Sequence, residues 1–193
     1  MASEVHVDPR VARTRDAVLV AAREVLLEEG WERVTLGRVA ERSGYARTTL
    51  YRHWPQRLDL LRDLIGEEAR LSHTTPTGDL RDDLIRELEA FRVAVTSTGL
   101  GRVIIAIGQQ ARDDAELADL NRWMRAEGVR VLDDILMAAV ADGDLPRSLQ
   151  ADAAVAQLVG PVLFRYLFED DHALDHDYVV SVVDWFLGAT RAS

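Results

Sequence analysis

Apolar residues recur three and four positions apart along almost the whole chain, the spacing of a helix with one buried face. Val18, Ala22 and Val25 show this spacing in the first segment. Alternating β-branched runs, the pattern of strands, are missing, and the Asp142-Gly143 pair is flanked by helical periodicity. The pattern predicts an all-α fold of about nine helices, at residues 9–29, 35–42, 46–53, from 56 onward, 80–95, 100–108, 113–141, 150–169 and 176–190.

Two of the breaks between these helices bear on the domain organisation. Trp54-Pro55 ends the third helix, because a residue that precedes proline is pushed out of the helical region. The stretch from Ser72 to Gly78 is rich in Ser, Thr, Pro and Gly and predicts a linker. We expect an N-terminal domain at residues 1–55 and a C-terminal domain at residues 56–193.

The last helix is apolar around nearly its whole circumference, from Tyr178 to Leu187. Such a helix must be buried on more than one side. The second cover is either the core of the same chain or another subunit, and its place near the end of the sequence favours another subunit. The residues predicted to form this dimer interface are Leu158, Val162, Val179, Val183, Phe186 and Leu187.

The segment from Thr35 to Trp54 has the spacing of two short helices that cross at a tight turn. Ala40 is small enough for a close crossing, Gly44 permits the turn, and Leu50 joins the pair in a common core. This is helix-turn-helix geometry, in which the second helix lies in the major groove of DNA. The second helix is also dense in hydrogen-bond donors that suit phosphates and base edges: Arg47, Thr48, Thr49, Tyr51, Arg52 and His53.

The charge distribution supports this interpretation, although the net charge of the chain is −10. Residues 1–62 carry 11 Arg and 9 acidic residues, whereas residues 63–193 carry 12 Arg and 24 acidic residues. Between Arg33 and Arg57 there are six Arg and a single acid, Glu41. A basic patch on an acidic protein is typical of a DNA-binding head joined to a body that does not bind DNA.

Composition and motifs exclude several other classes. The 193 residues include no Cys, which excludes disulfide scaffolds, thiolate metal sites and Cys nucleophiles. Glycine-rich phosphate loops and the G-x-S-x-G and H-E-x-x-H motifs are absent, so we expect no enzyme and no cofactor. The N-terminus lacks the apolar region of an export signal, and no uncharged run approaches the ~18 residues of a membrane span. We expect a soluble, cytoplasmic protein.

These motifs closely resemble those of the TetR family of transcriptional regulators. The residues that carry the resemblance are Gly30-Trp31, Val34-Thr35, Val39-Ala40, Ser43-Gly44, the run Thr49–Trp54 and Arg57. A looser resemblance to one C-terminal subgroup lies in Gln110–Leu117, Ala141–Leu145, Gly160-Pro161 and Phe164–Tyr166. The resemblance implies a homodimer whose heads read successive major grooves of a palindromic operator, and a small effector that binds the body and releases the DNA.

The resemblance also assigns roles to single residues. Thr35 would cap the second helix beside a phosphate, and Tyr51, His53 and Arg57 match positions that usually touch phosphate. The opening of the recognition helix would read bases, and Arg52 has a less defined part. The complete predicted DNA-binding set is Thr35, Arg47, Thr48, Thr49, Tyr51, Arg52, His53 and Arg57. Tyr45, Gly37 and Leu58 depart from the usual family residues.

The sequence is less informative about the effector site and about metals. Apolar and polar side chains that could line a cavity are Phe91, Gln109, Trp123, Met124, Phe164 and Tyr166, although each could simply belong to the core. The acidic body favours cationic or neutral ligands. Asp171, His172 and His176 have a spacing that suits a metal, but acidic residues there also cap a helix start, and we expect no metal.

Two other functions remain open at this point. The first is a helical small-molecule-binding protein or enzyme whose N-terminal helices are only structural. The concentration of donors on one helix argues against it, since a structural head has no need of them. The second is a DNA-binding regulator that has no effector.

Overall fold

The computed structural model describes residues 9–169 and 174–191. These residues form nine α-helices and one 3₁₀ turn, without strands, which confirms the predicted all-α fold. In order they are α1 (Pro9–Glu29), the turn Trp31–Arg33, α2 (Leu36–Ser43), α3 (Arg47–His53), α4 (Arg57–Ser72), α5 (Leu80–Ser97), α6 (Leu100–Gln110), α7 (Ala115–Asp142), α8 (Ala151–Phe168) and α9 (His176–Arg191).

The helices belong to two compact units, the head unit up to Glu67 and the body unit from Glu68 onward. The division lies inside α4, whereas the predicted domain boundary precedes that helix. The proline at residue 55 ends α3, but the apolar residues at the start of α4 belong to the head core.

The head unit is built on α1, which packs against α2. Its core is aliphatic and fully closed around Val25, Val39 and Leu50, none of which has accessible surface. The first half of α4 adds Leu60, Leu61 and Leu64 to the buried set. Burying a residue of this kind contributes about 1.5–3 kcal/mol, so these residues are the main stabilising contacts of the head unit.

The body unit has a larger core formed mainly by α5, α7, α8 and α9. Helix α6 joins them through a close approach to α8 at Gly101, where a Cβ atom would collide with the ring of Tyr166. The buried residues at the centre of the body are Leu84, Leu88, Leu132, Leu136, Leu158, Val162, Val179, Val183 and Phe186.

The prediction of a dimer interface at Leu158, Val162, Val179, Val183, Phe186 and Leu187 is wrong in its choice of residues. All six are buried in the core of the same chain, which leaves them no surface to offer to a partner. The outward faces of α8 and α9 carry other apolar side chains: Phe164 is 58 % exposed, Phe168 72 % and Trp185 69 %.

Helix α8 is also long and apolar enough to cross a bilayer, judged by length and composition alone. Within the described ranges, a second candidate arises only if α5 and α6, which are bent by 82°, are counted together. Core helices of soluble proteins meet the same criterion. One face of α8 packs in the body core through Leu158 and Val162.

The predicted linker after α4 is held in place by two buried carboxylates of α5. Glu87 accepts hydrogen bonds at 2.8 Å from both the backbone N–H and the hydroxyl of Thr74. Asp83 accepts from the backbone N–H groups of Thr77 and Gly78 and pairs with Arg86. Burial alone would raise the pKa of Asp83, but these hydrogen bonds lower it to about 2.

His73, within the linker, belongs to the same buried network. Its Nδ1 lies 2.6 Å from the Glu87 carboxylate and its Nε2 lies 3.0 Å from the carbonyl oxygen of Glu127. The hydrogen bond to Glu87 raises the pKa of His73. An imidazolium donates from both ring nitrogens, so the charged form of His73 ties the linker to α5 and α7.

Candidate nucleic-acid interface

The turn between α2 and α3 is fixed by local hydrogen bonds. The hydroxyl of Thr35 accepts from the backbone N–H of Arg38 at 3.2 Å and caps α2, as predicted. At the other end, Gly44 has a φ of 74° and its N–H donates to the Ala40 carbonyl at 3.1 Å. That left-handed conformation favours glycine, so Gly44 sets the direction in which α3 leaves the turn.

Two large side chains anchor α3 to the head core. Leu50 is fully buried, and Trp54, directly after the helix, is 2 % exposed. The indole Nε1–H of Trp54 donates to the Asp63 carboxylate of α4 at 2.8 Å, and Arg15 of α1 pairs with the same oxygen at 3.0 Å. Trp54 is therefore a core residue, and α3 is anchored along one side.

The opposite side of α3 carries the predicted donor residues. Arg47, Thr48, Tyr51 and Arg52 are exposed and follow the spacing of one helical face. Thr49 and His53 flank this face and are half-buried. We call these six residues the donor face. The structure brings them together on one helix that projects from a packed support, which is the arrangement that a major-groove reader requires.

Two arginines of the predicted basic patch are engaged in ion pairs with α1. Arg38 binds the Glu29 carboxylate through Nε at 3.0 Å and Nη2 at 2.6 Å. Arg42 pairs with Glu24 at 3.5 Å and with Glu28 through Nη2 at 2.5 Å. The hydrogen bond from Arg38 lowers the pKa of Glu29. These acids precede the patch in the sequence. Helix packing brings them into contact with it and reduces its positive charge.

Arg57, which is predicted to contact phosphate, makes hydrogen bonds within the head unit. Its Nε donates to the Val34 carbonyl at 2.9 Å and its Nη2 to the Trp31 carbonyl at 2.7 Å. The guanidinium lies 4.7 Å from the centre of the Trp31 ring. Burial lowers the pKa of this guanidinium. Arg57 therefore holds the turn between α1 and α2 against the start of α4.

The body unit contains a separate cavity of about 360 Å³ between α5, α6, α7 and α8. Of the six residues predicted to line an effector site, Phe91 and Met124 line it. Gln109, Trp123, Phe164 and Tyr166 are not among its lining residues: Gln109 and Phe164 are exposed, and Tyr166 packs against Gly101.

Sequence reasoning missed the polar lining of this cavity. Asn121 and Arg125 stand four residues apart on α7, followed by Gly128, so they share one face of that helix. A polar pair on an otherwise apolar helix face is the sequence pattern that could have indicated this polar lining. Arg125 also pairs with Asp152 of α8 at 2.9 Å.

The predicted metal spacing falls mostly outside the described residues. Asp171 and His172 lie outside them, and His176 lies 3.7 Å from Glu89 through its Nδ1. Within residues 9–169 and 174–191 no group of three or more His, Cys, Asp or Glu side chains is arranged to hold a metal ion.

Packed support, glycine turn and exposed donor helix together define a helix-turn-helix DNA-binding protein, and comparisons with known proteins agree. Residues 18–64 match the family model for bacterial regulatory proteins of the tetR family. Residues 74–185 match the model for the tetracyclin repressor-like C-terminal domain. The second match alone covers more than half of the 193 residues, so the chain belongs to the TetR family.

Similar proteins match over most of their length. The chain is 26 % identical to the uncharacterized HTH-type transcriptional regulator YdeS of Bacillus subtilis (strain 168), covering 96 % of this chain and 94 % of that protein. It is 26 % identical to the HTH-type transcriptional repressor BepR of Brucella suis biovar 1, covering 78 % of each. The crystal structure of the TetR family transcription regulator SCO0332 superposes with a TM-score of 0.74 at 32 % identity, covering 91 % of this chain and 97 % of that one.

The protein is therefore a DNA-binding transcriptional regulator, in a family of regulators rather than of enzymes. This result removes the alternative in which the N-terminal helices have only a structural purpose.

Proposed function

We propose that the protein is a homodimeric repressor that binds a palindromic operator through the donor face and is released by a small apolar effector. The donor face carries this proposal: six hydrogen-bonding side chains lie on one short helix whose other side is fixed by Leu50 and Trp54. Arg47, Thr48 and Thr49 read base edges, while Thr35, Tyr51 and His53 contact phosphates. Arg52 adds positive charge to the same surface. The protein acts in the cytoplasm, where its operator lies.

The proposed division of labour follows the two units. Residues 1–55 form the DNA-binding domain, which the first half of α4 completes, and the remainder binds the effector and the second subunit. A dimer places two recognition helices on half-sites roughly 34–36 Å apart. The two-fold symmetry of the protein would then match that of the operator.

The outward faces of α8 and α9 support dimerisation. Phe164 and Phe168 are in contact, with ring centroids 5.1 Å apart, and Trp185 is exposed on α9. Beside these aromatic residues the exposed positions include small residues, Ala153, Gly160 and Gly188, which allow helices to approach closely. An exposed apolar surface of this kind is typical of a protein–protein contact. A second copy that offers the same two helices would cover it symmetrically.

The cavity supports the effector part of the proposal. Its volume of about 360 Å³ lies within the usual range for small-molecule sites. Its walls are mainly aliphatic and aromatic, while Asn121 and Arg125 supply donors. The matching effector is a small neutral molecule with an apolar body and one hydrogen-bond acceptor. Because α8 contributes both to this cavity and to the proposed dimer surface, effector binding can change the dimer and with it the affinity for DNA.

Fluorescence anisotropy on DNA from directly upstream of the protein's own gene tests the proposal. We expect binding that is much tighter than to scrambled DNA and that weakens steeply as salt rises, because phosphate contacts release counterions. Equal affinity for both DNAs, followed by a random-library selection that enriches no sequence, would contradict it. A thermal-shift screen of neutral apolar compounds then tests the effector: at 100 times its Kd, a ligand adds about 2.7 kcal/mol.

A further inference from the structure

Glu41 has an unusual position in the head unit, because it is the one acidic residue between Arg33 and Arg57. It lies on α2 and its two carboxylate oxygens face different arginines. Oε1 accepts from Arg47 Nη2 at 3.1 Å, and Oε2 accepts from Arg38 Nη1 at 3.4 Å. Arg38 is itself held by Glu29 of α1. Glu41 is thus fixed from one side and pairs, on its other side, with the first residue of α3.

Arg47 has a shaped seat on α2 beside this carboxylate. Its guanidinium lies over Gly37, where an added Cβ atom would be 3.6 Å from both Cζ and Nη2. That distance is ordinary van der Waals contact, so the guanidinium packs against the first turn of α2. The side chain of Arg47 is nevertheless 65 % exposed, so it stays accessible from solvent.

We propose that Glu41 is a positioning residue that determines DNA selectivity, by neutralising and orienting Arg47. The proposal rests on the proposed function, in which the donor face meets DNA. Glu41 engages Nη2 alone, and a guanidinium has five N–H donors in a planar fork. The remaining donors can form a bidentate contact with a base edge while the ion pair is kept, and such a contact discriminates between bases.

The same pairing suppresses binding to other sequences. Non-specific affinity comes from cationic side chains that displace counterions from phosphates. A neutralised Arg47 adds little to that attraction, yet its directional hydrogen bonds to the correct base are retained. Glu41 thus lowers the affinity for non-operator DNA more than it lowers the affinity for the operator.

The test compares Glu41→Gln with wild type, on operator and scrambled DNA, by fluorescence anisotropy of the full-length protein at several salt concentrations. In Glu41→Gln, Arg47 is free to make one more phosphate contact, which steepens the slope of log K against log salt concentration by about 0.9. This change corresponds to an affinity about fivefold to tenfold higher at 0.1 M salt. We expect this rise for scrambled DNA and a change below about twofold for the operator. Selectivity would then fall several-fold.

Glu28→Gln is the matched control, because it removes the same charge from the head unit but breaks an ion pair with Arg42 instead. It should shift both affinities by the same factor. In an Arg47→Ala background, Glu41→Gln should no longer change selectivity. If Glu41→Gln shifts both DNAs equally, or acts undiminished in that background, the inference is wrong even though the proposed function stands.

Failure of the proposed function has a different signature. One such result is a wild-type protein that does not distinguish operator from scrambled DNA, and another is an Arg47→Ala protein with unchanged operator affinity. In either case α3 does not read DNA through Arg47, and the inference about Glu41 is wrong together with the proposed role of Arg47.

Discussion

In the head unit the side chains proposed to bind DNA point outward from a packed core, whereas in the body unit those proposed to bind an effector line a cavity among four helices. The donor face of α3 stands on Leu50 and Trp54, which leave no space beneath it. The body, by contrast, leaves a cavity of about 360 Å³ among α5, α6, α7 and α8. A rigid head suits recognition of a fixed DNA surface, and an incompletely filled body suits a ligand that changes packing.

The two units also use charge differently. The head keeps its ion pairs near the surface, where Glu24, Glu28 and Glu29 neutralise Arg38 and Arg42. Solvent-exposed pairs of this kind contribute little to stability, so they adjust charge more than stability. The body instead buries Asp83 and Glu87 and satisfies both with hydrogen bonds from the linker. Removing such a partner is costly, because a buried charge is left without compensation.

The largest expected effect is the loss of the proposed dimer through Trp185→Glu. A charge on the exposed face of α9 would repel its own copy across a symmetric interface and oppose burial of that face. We expect a monomer in analytical sedimentation and a fall in operator affinity of about 100-fold or more, since two linked heads gain that factor over one.

Met137→Glu is the control for this variant, because Met137 is 51 % exposed on α7 and the substitution introduces the same charge on a different helix. It should remain dimeric. A Trp185→Glu protein that sediments as a dimer would move the interface away from this face of α9.

The second effect concerns the donor face. Arg47→Ala should weaken operator binding by about 1–3 kcal/mol, a loss of roughly tenfold to 100-fold in affinity, and relax selectivity at one base. Tyr51→Ala should weaken operator binding without relaxing selectivity, because a phosphate contact carries no sequence information. Neither variant should change the thermal midpoint or the dimer.

Arg62→Ala serves as the control for charge, since Arg62 is an exposed arginine of the same unit that lies on α4. Anisotropy measured on operator and scrambled DNA separates the three variants. If both Arg47→Ala and Tyr51→Ala bind DNA as tightly as wild type, the proposed assignment of α3 as the recognition helix is wrong.

The contrast between the units explains what the sequence could predict. The helix-turn-helix depends on short spacings around Ala40, Gly44 and Leu50, so local pattern was enough to find it. Helix α9 is apolar on all sides, and its pattern alone does not distinguish a partner from the chain's own core. Only the packing shows that Val183 faces inward while Trp185 faces outward. The cavity and the engagement of Arg57 likewise depend on contacts between residues distant in sequence.

The third effect is a dependence of stability on pH through His73. Its pKa is raised above the ordinary 6.5 by the hydrogen bond to Glu87, although burial and the nearby Arg130 oppose the rise. A group whose pKa is higher in the folded protein than in the unfolded chain stabilises the folded protein. This contribution is complete at pH values below the pKa in the unfolded chain, and it is lost as the pH rises through the pKa in the folded protein. The free energy of unfolding should therefore decline from pH 6 upward.

His73→Gln should remove that decline and lower stability at pH 6 by about 1–3 kcal/mol, because Glu87 loses its charged partner. Chemical denaturation at several pH values measures both changes. His176→Gln is the control, since His176 is largely exposed, and it should leave the profile almost unchanged. The same decline in the His73→Gln protein would assign the pH dependence to another group.

The smallest effect, Gly128→Leu, tests the gap in the body directly. An added Cβ at Gly128 meets no atom within 4 Å, and Gly128 lines the cavity, so a leucine side chain has space to enter it. Removing glycine from the interior of α7 should stabilise the protein by about 1 kcal/mol. The variant with the filled cavity should no longer respond to an effector that shifts the wild-type thermal midpoint, while operator binding is retained.

Gly108→Leu on α6 is the matched control: its Cβ position is equally open, but Gly108 is not among the lining residues. It should gain similar stability and keep the response to effector. If Gly128→Leu keeps that response as well, the effector binds elsewhere, and the contrast between a closed head and an open body loses its functional meaning.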